Sequence, residues 1–329
     1  MSNADYQQFA SLLRAGRLDE ALAYAESRAA GSPAYSAGFW FTQQATVFLR
    51  RKDYTSAFDR AARALRARPG DPYALLAAAD ARLGMGATAE ARSLYEQAIA
   101  TGPARPAERA SAGLLACLEH RKEWQAILSL LPALPLSDDD RGVWHARALK
   151  EVGRTDEAIE LCRQLLSRRP DYPRALWLLT DLEVEREGLE PVRQRLGRLA
   201  RIPSRPPIYG EIYASLCRRA GVESDAVGQY EKLHAQTGDI RLVRKKAFAL
   251  AKGGHEEEAM GIIEQLLRAD PTDQYLHSSY GAAARRAGKI AQAVAFYRAL
   301  LAEQPQHKGL YGRIRRLERL VKERSDGTA

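Results

Sequence analysis

Apolar positions in residues 139–170 fall into two helical stripes separated by a turn. Val143, Ala146, Ala148 and Leu149 mark a first helix, Gly153 interrupts it, and Ala158, Leu161, Cys162, Leu165 and Leu166 mark a second that stops at Pro170. Each stripe is about three to four turns long, too short for an isolated helix to be stable in water. The pattern predicts a helix hairpin that buries its apolar faces against neighbouring hairpins.

The hairpin recurs. Turns are predicted at Gly16, Lys52, Gly86, His120, Gly153, Glu187, Gly221, Gly254 and Gly288, at intervals of 36, 34, 34, 33, 34, 34, 33 and 34 residues. A small or apolar residue follows each turn by five or six positions: Ala21, Ala57, Ala91, Ala126, Ala158, Val192, Ala226, Ala259 and Ala293. Pro33, Pro69, Pro103, Pro170, Gly238, Pro271 and Pro305 close most units, where a missing N–H or a permissive backbone ends a helix. Three series in one phase predict an all-α solenoid, in which each unit packs only on its neighbours.

The units resemble tetratricopeptide repeats. The resemblance is carried by Gly-Arg-Thr-Asp-Glu-Ala at 153–158, Gly-Lys-Ile-Ala-Gln-Ala at 288–293, the second-helix aromatics Tyr95, Tyr230 and Tyr297, and the unit-ending prolines. It implies antiparallel helix pairs stacked into a right-handed superhelix, with first helices lining a concave groove that binds peptides or partner proteins, and it implies no reaction. Nine repeats are expected over 2–306, with units four and six degenerate. The fourth has His120 at its turn, Ala126 at the small position and Leu-Pro-Ala-Leu-Pro-Leu at its end; the sixth has Pro191-Val192 and a proline-rich connection. Leu310, Ile314, Leu317, Leu320 and Val321 form an apolar stripe, so 307–324 is expected to be a capping helix and 325–329 a disordered tail.

Composition narrows the function classes. The 329 residues carry a formal charge of +9, and the stretch from Arg205 onward holds 21 Lys plus Arg against 15 Asp plus Glu. This balance favours acidic partners through long-range attraction. Cys117, Cys162 and Cys217 are odd in number, widely spaced and embedded in helical patterns, which indicates neither a disulfide framework nor a CxxC metal ribbon and points to a reducing compartment. With no signal-like start and no run long enough to span a bilayer, a cytoplasmic location is expected. Ser2-Asn3-Ala4 resembles a tag remnant, which leaves export open if a targeting segment was removed.

No phosphate-loop, zinc-protease or nucleophile-elbow motif occurs, and the six histidines contain no i, i+4 pair. Neither catalysis, a cofactor nor a metal is expected. Glu256-Glu257-Glu258 opens a second helix, where carboxylates favour the positive end of the helix dipole.

Candidate partner-binding positions follow from the family's geometry. In the early units these are Tyr6, Phe39, Thr42, Gln43, Tyr73, Leu76 and Asp80, and in the middle Arg147, Lys150, Arg174, Trp177 and Asp181. Later come Arg218, Arg241, Arg244, Lys245, Phe248, Lys252 and Arg285. The groove is thus expected to pass from aromatic and polar to strongly basic, unless the cations merely form a solvated face. The asparagines with which some relatives clamp a C-terminal carboxylate are missing, since the only Asn is Asn3. The expected function is a noncatalytic protein-interaction scaffold for a peptide or protein segment of acidic character. The alternatives are single-stranded nucleic-acid binding through the basic positions and a recruitment subunit of an enzyme complex.

Overall fold

The computed structural model describes residues 3–307 and 309–326, and among them every regular element is helical. They form two compact units, Met1–Arg168 and Arg169–Ala329. The first contains α1 (Asn3–Arg14), α2 (Leu18–Ala30), α3 (Ala34–Arg50), α4 (Tyr54–Ala67), α5 (Pro72–Gly84), α6 (Thr88–Thr101), α7 (Ala104–His120), α8 (Trp124–Leu130), α9 (Asp138–Glu151) and α10 (Thr155–Arg168). The second contains α11 (Pro173–Glu187), α12 (Leu189–Ala200), α13 (Pro207–Arg219), α14 (Glu223–Thr237), α15 (Ile240–Lys252), α16 (Glu256–Ala269), α17 (Gln274–Arg286), α18 (Ile290–Glu303) and α19 (Gly309–Asp326). Within each unit, successive helices pack on one another. Among the described residues no helix is long and apolar enough to cross a membrane.

A single backbone device makes most of the hairpins. At Gly153 the chain enters the left-handed region with φ +82°, and the next N–H, of Arg154, bonds back to the Leu149 carbonyl at 2.9 Å. This six-to-one bond satisfies a carbonyl that the ending helix would otherwise orphan. The same bond recurs after Gly16, Lys52, Gly86, Lys122, Gly221, Gly254 and Gly288, each with positive φ. At the sixth hairpin Gly188 has φ +89° and ψ 164°, and its own N–H returns to Val184.

Two expected turn positions are thereby corrected. In the fourth unit the left-handed residue is Lys122, because α7 continues through His120. The buried residue five positions after that turn is Ile127, while Ala126 is only partly covered. In the sixth unit the turn residue is Gly188 instead of Glu187, which ends α11. At the regular turns the corresponding Ala21, Ala57, Ala91, Ala158, Ala226, Ala259 and Ala293 are all fully buried, as is Val192. A methyl group at these positions lets two helices approach closely.

Tyr95 on α6 lies against Gly113 on α7, where a Cβ would stand 2.4 Å from its ring. In the second unit, Leu310, Ile314 and Leu317 of α19 join a core with Tyr297 and Leu300 of α18. This helix runs through Asp326, two residues into the tail expected at 325–329; residues 327–329 lie outside the described residues. Cys117, Cys162 and Cys217 are buried, and burial pushes the Cys117 thiol up to about 11, which keeps it protonated.

Candidate partner-binding site

The odd-numbered helices α1, α3, α5 and α7 each contribute side chains to one open cavity of about 590 Å³ in the first unit. The seven early positions Tyr6, Phe39, Thr42, Gln43, Tyr73, Leu76 and Asp80 all line it. They converge because equivalent first-helix positions recur with the repeat and face the same way.

Aromatic edges dominate one wall. The Tyr6 and Phe39 rings meet edge to face at 6.0 Å, and Phe39 is backed by buried Trp40 at 5.2 Å. Tyr6 is 40% exposed and Tyr73 is 48% exposed, so their rings offer uncovered apolar surface. Thr42 is buried and donates to the Gly38 carbonyl at 3.2 Å, which leaves its methyl as the surface it can offer.

The charged rim is nearly balanced. Arg50, Arg68 and Arg109 line the cavity with Asp71 and Asp80. Arg50 donates to the Leu13 carbonyl at 2.8 Å, tying α3 to the end of α1. Arg68 pairs with Asp71 at 3.1 Å and Arg109 with Asp80 at 3.7 Å. Asp71 also caps α5, accepting the Tyr73 and Ala74 N–H groups at 3.0 Å. Burial pushes the Asp80 carboxyl above its ordinary value, partly opposed by the Tyr95 hydroxyl and by Arg109. The site is therefore amphipathic, with one cation in excess.

Arg50, Arg68, Arg109 and Asp71 were not anticipated from sequence. Arg109 sits on the first helix of the fourth unit, whose displaced turn hides its register, and Asp71 reads from sequence as a helix cap. Arg147 pairs with Glu119 and lies 5.7 Å from the Trp144 ring, whereas Lys150 and Trp177 are half-buried on α9 and α11.

The expected basic groove of α15 takes a different form. Arg241 pairs with Asp239 at 2.6 Å, Arg244 with Asp273 at 2.7 Å, Lys245 with Glu211 at 2.7 Å and Lys252 with Glu223 at 3.0 Å. Lys252 also donates to the carbonyl of half-buried Arg218. The hydrogen bonds from Arg241 pull Asp239 down to about 2. Three of these carboxylates lie about one repeat away in sequence, so a local count of charge misses their cancellation. Phe248 instead meets Tyr275 edge to face at 5.3 Å, with the Arg244 guanidinium 5.7 Å from both rings. Arg285 is exposed on α17. Among the described residues no group of His, Cys, Asp and Glu is placed to hold a metal ion.

The profile of the tetratricopeptide repeat matches residues 42–107, 145–187 and 245–308. No curated protein matches the sequence. Among solved structures, the P58(IPK) TPR domain is 16% identical, with 97% of this chain and 98% of that chain covered and a TM-score of 0.31. A tetratricopeptide repeat protein from Parabacteroides merdae is 14% identical, with 87% and 99% covered and a TM-score of 0.39. Family membership rests on the repeat matches themselves, which span more than half of the sequence, in a family of protein–protein interaction scaffolds that are generally noncatalytic. The chain belongs to the tetratricopeptide repeat family.

Proposed function

We propose that the protein is a noncatalytic scaffold that holds an extended segment of a partner protein in the first-unit cavity. The observation that carries this reading is the convergence of Tyr6, Phe39 and Tyr73 with Gln43 and the paired charges in one open site. Such a surface suits a segment with an apolar or aromatic anchor and flanking polar groups. Burying the anchor removes apolar area from water at about 25 cal/mol per Å², and the amide and charged groups fix its orientation. The balance of Arg68 with Asp71 and Arg109 with Asp80 favours a near-neutral segment over a strongly acidic one.

The ion pairing along α15 weighs against nucleic acid as its ligand, since affinity for a phosphate backbone needs cations that are free to neutralise it. Recruitment of a catalytic partner is compatible with the same cavity and differs only in what the bound segment belongs to.

The test is selection of peptides from a random display library against the full chain, followed by photo-crosslinking from a benzophenone side chain at position 73 or 275. Selected peptides are expected to crosslink from position 73. Crosslinking from 275 alone contradicts the assignment.

A further inference from the structure

Two cations of the terminal helix, Arg313 and Arg316, differ from the paired cations of α15. In the second unit Arg241, Arg244, Lys245, Lys246, Lys252 and Arg286 each meet a carboxylate. Arg313 instead donates to the neutral side-chain carbonyl of Gln274, and Arg316 is an exposed cation on the same helix. From Gly309 to Asp326 the sequence holds six Lys plus Arg against three Asp plus Glu, so this one helix carries half of the excess positive charge found from Arg205 onward.

Arg313 and Arg316 border an open cavity of about 620 Å³ between the start of α17 and α19. Thr272, Gln274, Ser278 and His307 add polar groups to its lining, and no carboxylate is among the described lining residues. The nearby carboxylates are already engaged: Asp270 accepts from the Thr272 N–H and hydroxyl, and Asp273 caps α17 and pairs with Arg244. His277 forms a closed wall, with one ring nitrogen on the Pro271 carbonyl at 2.9 Å and the other on the Tyr297 hydroxyl at 3.1 Å. On the α19 side, a Cβ on Gly309 or Gly312 would meet nothing within 4 Å, so that wall leaves room for a ligand.

We propose that this cavity is a binding site for a phosphate monoester group, held between Arg313 and Arg316. Two guanidinium groups match the charge of about −1.5 to −2 on such a group at neutral pH, whereas a single carboxylate leaves one of them uncompensated. Guanidinium forks also fit phosphate oxygens in pairs, and amide and hydroxyl donors complete the shell. The site lies wholly in the second unit and does not depend on the first-unit cavity.

The test uses the full chain and four probes: a phosphoserine pentapeptide, its unphosphorylated counterpart, glycerol 3-phosphate and a single-stranded oligonucleotide. Binding is measured for the wild type, Arg316→Gln and Arg315→Gln. The last removes the same charge from an exposed residue of α19 that does not line the cavity. Phosphorylated probes are expected to bind the wild type, with an affinity about tenfold lower for Arg316→Gln, the size of one lost charge-assisted contact, and within about twofold for Arg315→Gln. Tighter binding of the phosphopeptide than of glycerol 3-phosphate identifies the ligand as a phosphorylated protein segment, and equal binding identifies a small phosphate ester. Failure of both phosphorylated probes to bind, equal binding of the unphosphorylated peptide, or equal losses in the two variants overturns the site. So does a single-stranded oligonucleotide that binds more tightly than either and is indifferent to Arg316→Gln.

Discussion

The Tyr95 hydroxyl donates to Asp80 Oδ1 at 2.6 Å, joining the core of the first unit to the wall of its cavity. Tyr95 is fully buried between α5 and α7, so the hydrogen bond fixes the rotamer of a carboxylate that also faces Arg109. A core contact thus sets the geometry of a surface site.

Burial of Asp80 has a pH signature. Its carboxyl titrates above the ordinary value of 3.8 in the folded chain, with burial as the main cause. As pH falls, the folded state takes up this proton before the unfolded state does. Asp80 therefore contributes most favourably below 3.8, and that contribution is lost as pH rises through the folded value. Asp80→Asn keeps an acceptor for Tyr95 and removes the titration. Its stability relative to wild type is expected to be most favourable at pH 7 and to decline toward pH 4. Urea denaturation of both proteins across this range checks the sign, and a constant difference excludes the linkage.

Ala158 is fully buried five residues after the Gly153 turn. Ala158→Phe forces two helices apart and is expected to cost about 1–3 kcal/mol through overpacking. An unchanged melting temperature contradicts the close packing at this position.

Lys122 holds φ +58° at the fourth hairpin, in a region that penalises a Cβ. Lys122→Gly is expected to stabilise the first unit by about 0.5–1 kcal/mol, the relieved strain exceeding the entropy lost by a more flexible unfolded chain. Denaturant titration decides this, and a loss of stability shows that strain at the turn is negligible.

The period of the repeat was legible because each unit must solve the same packing problem. Gly153, Ala158 and the prolines report it directly. The fourth unit misled by two residues because Lys122, which has no sequence signature of a left-handed turn, replaces glycine, and Ile127 replaces alanine. The early cavity residues were legible through their recurring first-helix register. The pairing of Lys245 with Glu211 and of Arg244 with Asp273 was not, because it depends on side-chain reach between neighbouring repeats.

Those pairs make α15 sensitive to charge reversal. Arg244→Glu/Lys245→Glu places new carboxylates beside Asp273 and Glu211, so the double variant is expected to lose about 1–2 kcal/mol of stability. Thermal melts at low and high salt test it, with the loss shrinking as screening increases. Stability equal to wild type at both salt concentrations contradicts the pairing.

Partner binding in the first-unit cavity is tested most directly by the dissociation constant of a display-selected peptide for the wild type, Tyr6→Ala, Tyr73→Ala and Tyr275→Ala. All three tyrosines are exposed, so the substitutions alter the surface with little effect on the core. Loss of an aromatic anchor is expected to weaken binding about tenfold or more for Tyr73→Ala, and measurably for Tyr6→Ala. Tyr275→Ala, in the second unit, is expected to bind like wild type. Unchanged affinity in both first-unit variants, or a loss confined to Tyr275→Ala, contradicts the cavity as the recognition site.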